Sequence, residues 1–123
     1  WTAYARRDRL AEHYPAMTMH VSSVERELSE DGVWTSLPQF GDWLDPDAPP
    51  ERPDAAKADV GVVATACVFR SATFTALAAE ILDRPDDAIR WKALADRIRA
   101  GFLARYVHDG RIQSDCVTVY ALA

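Results

Sequence analysis

The densest chemistry in this 123-residue chain lies in one short run, Gln39-Phe40-Gly41-Asp42-Trp43-Leu44-Asp45. Two carboxylates flank a tryptophan beside a glycine. An indole face packs well on the C–H face of a pyranose ring, and a carboxylate accepts hydrogen bonds from sugar hydroxyls. Gly41 lets the backbone approach closely. A plainer reading fits the same residues: a turn whose tryptophan plugs the core and whose acids are solvated. Composition alone does not separate the two. Asp42 and Asp45 also invite comparison with the carboxyl pair of a glycosidase. Three residues apart on one loop is a poor fit, because the two groups must flank opposite sides of the scissile bond.

Other chemistries find little support. His13, His20 and His108 are scattered, with no metal-binding spacing such as HExxH. Cys67 and Cys116 form no CxxC pair, and two cysteines make neither a disulfide scaffold nor a metal site. Both are expected to be buried small hydrophobes. Neither a Gly-rich phosphate loop nor a GxSxG element occurs. No metal or other cofactor is expected. The net charge of -5, from 19 acids against 14 bases, argues against a nucleic-acid surface. The longest apolar stretch, Val60 to Leu82, carries Arg70, Glu80 and several hydroxyl residues, so no membrane partner is expected.

The elements around this run are helical. The spacing predicts a short helix over 5–14. A second begins at Pro15, with Met17, Val21, Val24 and Leu28 on one face and Gly32 marking its end. Asp59 is a good N-cap for a third, with Val63, Cys67, Phe74, Leu77 and Ile81 along one face. That helix is rich in alanine, so neighbours can approach it from several sides. A fourth runs from Pro85 to about Tyr106, with Asp86 and Asp87 in its first turn and a stripe of Ala88, Trp91, Leu94, Ile98 and Phe102. The short link at Asp83-Arg84 makes the third and fourth an antiparallel hairpin. His108-Asp109-Gly110 reads as a turn, 111–116 as extended, and Val117 as the start of another helix. Residues 29–58 lack helical period and hold Pro38, Pro46, Pro49, Pro50 and Pro53. Their aromatics, Trp34, Phe40 and Trp43, favour an ordered, site-forming loop over a disordered linker. Trp1 opens directly on helix-like sequence, and the apolar run from Val117 stops without a cap. Both ends are therefore expected to lie inside a longer chain.

The string Phe40-Gly41-Asp42-Trp43-Leu44-Asp45-Pro46, followed by Lys57-Ala58-Asp59 and Val63-Ala64-Thr65-Ala66, resembles bacterial α-L-rhamnosidases of glycoside hydrolase family 78. The likeness extends over nearly the whole chain. Trp1, Tyr4 and the Tyr14-Pro15 step resemble the helices before this loop, and Ala93 to Arg99 with Phe102 an outer helix after it. Ser114-Asp115, Thr118 and Tyr120 to Ala123 resemble the entry to the next inner helix. The resemblance implies an all-α fold, part of an (α/α)6 barrel of helical hairpins around a sugar-binding funnel. It implies cleavage of terminal α-L-rhamnose with inversion, an acid and a base acting on opposite faces of the sugar.

In the family the acid lies in an Arg-Asp-Glu-rich stretch before this region and the base is a glutamate near a tryptophan after it. Neither motif occurs in these 123 residues, so no catalytic residue is assigned and the segment alone is expected to be inactive. The resemblance gives Trp43 a place in the apolar wall of the rhamnose pocket. It gives Asp42 either a ligand or a loop-bracing role. Two positions depart from the pattern: Cys67, where the family often has an aromatic, and Val117, where it often has a glutamine. Expected partners are rhamnose-containing glycosides, and a partial barrel is expected to self-associate through its exposed edges. The alternatives are another carbohydrate-active enzyme on the same barrel, or a non-enzymatic helical interaction module.

Overall fold

The computed structural model describes residues 5–123 apart from Leu37, Leu44, Asp54 and Gln113. Trp1, Tyr4 and Leu44, which carry part of the family resemblance, lie outside the described residues. The fold is all-α. Three long helices, α1 (Arg7–Glu25), α2 (Val60–Ile81) and α3 (Pro85–Tyr106), precede a two-stranded ribbon, β1 (Val107–His108) and β2 (Arg111–Ile112), and a short α4 (Val117–Leu122).

The first two expected helices are one. Pro15 brings no N–H to the helical ladder and ordinarily breaks it at a cost of ~3 kcal/mol, yet α1 runs through it. Tertiary anchoring at the adjacent residue offsets that cost. Tyr14 is buried; its hydroxyl donates to Asp87 Oδ2 at 3.0 Å and accepts from Trp91 Nε1 at 3.2 Å. Helix α1 also stops at Glu25, well before Gly32. Gly32 serves a separate turn: with φ of +86°, it lets Ser29 bond Val33 through both backbone and side chain.

Helix α2 begins as the sequence predicts, the Asp59 carboxylate accepting from Val62 N at 2.9 Å. Its packing face is the reverse of the expected one. The buried stripe is Val62, Thr65, Val68, Ala72, Thr75, Ala76 and Ala79. Of the expected stripe, Val63 is buried and Ile81 half-buried, while Cys67, Phe74 and Leu77 face outward. The physical reason is size. Alanines and threonines let α1 and α3 come close, and the bulky side chains turn away. Both buried hydroxyls are satisfied, Thr75 donating to Ser71 O at 2.8 Å and Thr65 accepting from Trp34 N at 3.1 Å. By length and apolarity α2 equals a membrane-crossing helix; here that composition serves close packing between neighbours.

Helix α3 has the predicted limits and stripe, with Trp91, Leu94, Ile98 and Phe102 buried. It returns antiparallel to α2, so Gly61 near the start of α2 lies against the Tyr106 hydroxyl near the end of α3. Asp109 and Gly110, at φ of 51° and 72°, form the tight turn that closes the ribbon, pairing His108 with Arg111. His108 thus belongs to the strand rather than to the turn. The core has two parts. One joins α1, α2 and α3 around Tyr14, Trp91 and Ile98; the other joins α2, α3 and α4 through Val62, Phe102, Cys116 and Val119.

Candidate functional site

Among the described residues, the stretch between α1 and α2 is braced at several points. At its start, Leu28 and Trp34 form an antiparallel bridge. The half-buried Trp34 indole donates to Ser36 O at 3.1 Å, and its backbone N–H to Thr65 on α2. At its end Ala58 enters the second core cluster. The Phe40-to-Asp45 run lies between these ties, above the first turn of α2.

Three contacts hold that run. Gly41 has a φ of +59°, and a Cβ there would come within 2.8 Å of Val60 Cγ1, so the backbone is pressed onto the start of α2. Asp42 Oδ2 accepts from Thr118 Oγ1 at 2.6 Å, a bond to the first turn of α4. The Asp45 carboxylate accepts from the backbone N–H of Asp47 at 3.0 Å and of Lys57 at 2.9 Å, and Lys57 Nζ reaches Asp47 Oδ2 at 2.7 Å. The two aspartates suggested as a pair thus hold opposite flanks of the tryptophan in place.

Trp43 remains accessible at 46%, with its ring edge-on to Phe40, itself 72% exposed, at a centroid distance of 5.1 Å. An aromatic pair with one member free is a surface that can meet an apolar sugar face. Trp43 belongs to neither of the two core clusters. Trp34, by contrast, packs against the first of them.

Beside the loop are two hollows, of about 220 Å³ and about 440 Å³, both lined by Asp59, Arg105 and Tyr106. The smaller adds Gln39 and Trp34; the larger adds Lys57 and Asp115. Burial raises the Tyr106 phenol above its ordinary value, and the Asp59 carboxylate pushes it the same way. Tyr106 therefore stays a neutral hydrogen-bonding group. Sequence reasoning missed Tyr106 and the bond from Thr118, because each lies far along the chain from the residues it meets. His13, His20 and His108 are all exposed, and no cluster of three or more His, Cys, Asp or Glu fit to hold a metal occurs among the described residues. Cys116 is buried as expected, whereas Cys67 is exposed. Val117, at the other departure from the family pattern, is exposed as well.

Residues 1–123 match the model of the bacterial alpha-L-rhamnosidase 6 hairpin glycosidase domain. The chain belongs to that family. It is thus part of the glycoside hydrolases, and the family's substrates are rhamnose-containing glycosides. Comparison with curated proteins and with solved structures finds no match. The helical hairpin α2–α3 agrees with the hairpin architecture of that family.

The Asp45 brace has a defined pH response. Backbone N–H donors from Lys57 and then Asp47 hold its carboxyl below the ordinary carboxylate value. A depressed folded-state value means the brace is fully formed above the unfolded carboxylate's pKa and is lost as pH falls through the lowered one. Trp43 emission, isolated as the difference from a Trp43→Phe variant, is expected to stay constant down through pH 4 and to change only in stronger acid. A transition centred near pH 5 or above would show that Asp45 does not hold this loop.

Proposed function

We propose that this chain supplies about two of the six hairpins of an α-L-rhamnosidase catalytic domain. Six hairpins of two helices each make twelve helices, and the described residues form four. The complete domain cleaves terminal α-L-rhamnose with inversion, and Trp43, with Asp42 beside it, forms part of the wall of the sugar pocket. The observation that carries this reading is the accessible Trp43 on a loop braced on both sides, within a chain matched by the family over its whole length. An indole held still offers its apolar face to the ring without an ordering cost at binding. The acid and base come from outside these residues, so the 123-residue chain alone hydrolyses nothing.

The test uses the full-length protein and an aryl α-L-rhamnoside, with the anomer of the released sugar followed by NMR. The expected first product is the β-anomer. Trp43→Ala is expected to lower kcat/KM by roughly ten- to a hundredfold, the effect of removing one aromatic contact worth ~1.5–3 kcal/mol. Unchanged kcat/KM in that variant removes Trp43 from the pocket, and release of the α-anomer overturns inversion.

The outward face of α2 bears on the same reading. Phe74 and Leu77 are 51% and 47% exposed, on a helix whose other side is already packed. In the complete domain the neighbouring hairpins cover this face. In the isolated chain the expected substitute is a second copy, so sedimentation should give a mass above 13.7 kDa. A Phe74→Ser, Leu77→Ser variant should return it to the monomer; a wild-type chain that sediments as a monomer would count against a covered face.

A further inference from the structure

We infer that Thr118 is a positioning residue for the sugar-facing wall: its hydroxyl fixes Asp42 and, through Asp42, sets the orientation of Trp43. The inference rests on the pocket-wall reading above. Asp42 Oδ2 receives the Thr118 hydroxyl at 2.6 Å from a residue 76 positions away in sequence. The bond is partly buried, and a hydrogen bond to an ionised carboxylate is among the stronger kinds.

The geometry around Trp43 explains why this one bond matters. Trp43 lies outside both core clusters, and its one aromatic neighbour, Phe40, is itself exposed. Its backbone is held through the contacts of Gly41, Asp42 and Asp45. On the N-terminal side Gly41, in a left-handed conformation, packs on Val60 at the start of α2, a contact without the direction of a hydrogen bond. On the C-terminal side the Asp45 brace ties the run to Asp47 and Lys57 of the same loop. Among the described residues, the Thr118 bond is the side-chain hydrogen bond from this run to a helix. It also links the loop to the helix that follows the ribbon. Cys116 and Val119 seat α4 in the second core cluster, which makes Thr118 a fixed point rather than a mobile partner.

Three variants of the full-length protein test this. Thr118→Val keeps the shape and removes the donor, Thr118→Ser keeps the donor, and Trp43→Phe identifies the Trp43 signal. With 5-fluorotryptophan incorporated, the Trp43 resonance is assigned by its loss in Trp43→Phe. Thr118→Val is expected to shift and narrow that resonance as the ring gains motion, and Thr118→Ser to leave it at the wild-type position. Thr118→Val is also expected to raise KM for an aryl rhamnoside by severalfold and at most about tenfold, since binding must then re-form the order that this bond of about 1.5 kcal/mol otherwise supplies. Because ground state and transition state lose the same wall, kcat should stay within about twofold. A Trp43 resonance unchanged in Thr118→Val overturns the positioning role, whatever the enzyme's substrate. A shifted resonance with unchanged KM confirms the positioning and overturns the pocket-wall reading instead.

Discussion

Gly101→Ala is expected to destabilise the protein by about 3 kcal/mol, the upper range for overpacking a filled site. The usual sign is the opposite, because alanine in a helix interior is favoured over glycine by ~1 kcal/mol. Gly101 lies in the last third of α3, directly beneath the turn at 29–33. A Cβ there would lie 2.1 Å from the backbone oxygen of Asp31 and 3.0 Å from Val33 Cγ2. The first of these is backbone, which cannot rotate away as a side chain can. To admit the methyl group the whole turn must lift. Gly32, whose own missing Cβ faces Arg97 O at 3.1 Å, would lose its seat, and Val33, now 0% exposed, would meet water. The Trp34 N–H to Thr65 bond lies next in the chain and would be stretched with it. Gly110→Ala is the control. It has a positive φ of 72° but no atom within 4 Å, so it should cost only the left-handed strain of about 1–2 kcal/mol. Urea unfolding of both variants measures the difference. A Gly101→Ala protein with a midpoint at or above wild type would show that the turn does not rest on α3.

This close approach explains which parts of the fold were legible in the sequence. Helix α3 announces both ends: Pro85 with two aspartates at the start, and a stripe that a single face can absorb. The cap at Asp59 and the start of α4 at Val117 were legible for the same local reason. What the sequence could not reveal is phase. Helix α2 is apolar all round, so periodicity shows a helix without showing which side is inside. Phe74 and Leu77 turn outward while the alanines, threonines and valines pack inward, and packing distance decides for the smaller residues. The break expected at Pro15 failed in a related way, since Tyr14 is anchored by Asp87 and Trp91, more than seventy residues away. At the site, residue types pointed to Asp42, Trp43 and Asp45 as a group. Their braces are backbone N–H groups and a distant threonine, for which no local pattern exists.

Trp91→Ala is expected to cost about 3–5 kcal/mol, the range for emptying a buried aromatic site. Trp91 is 1% exposed and joins α3 to α1 through Tyr14 within the first core cluster. The guanidinium of Arg90 lies 4.2 Å from the centre of its ring. Its indole N–H begins a chain of hydrogen bonds, donating to the Tyr14 hydroxyl, which donates in turn to Asp87. The chain separates two contributions. Trp91→Phe keeps most of the apolar area and removes the first donor, and it should cost about 1–2 kcal/mol. Tyr14→Phe removes the middle member and leaves the indole N–H and the Asp87 carboxylate without it, for about 1–3 kcal/mol. If the two residues act through one bond, the double variant should cost less than the sum of the singles. The location of the loss is as informative as its size. Helix α1 buries only Tyr14 and Val21 fully, whereas α2 and α3 bury long stripes against each other. Trp91→Ala should therefore release α1 first. Hydrogen exchange should speed up over 7–25 while the α2–α3 hairpin keeps its protection. Uniform loss of protection across all three helices would show instead that α1 and the hairpin form one cooperative unit, with Trp91 at its centre.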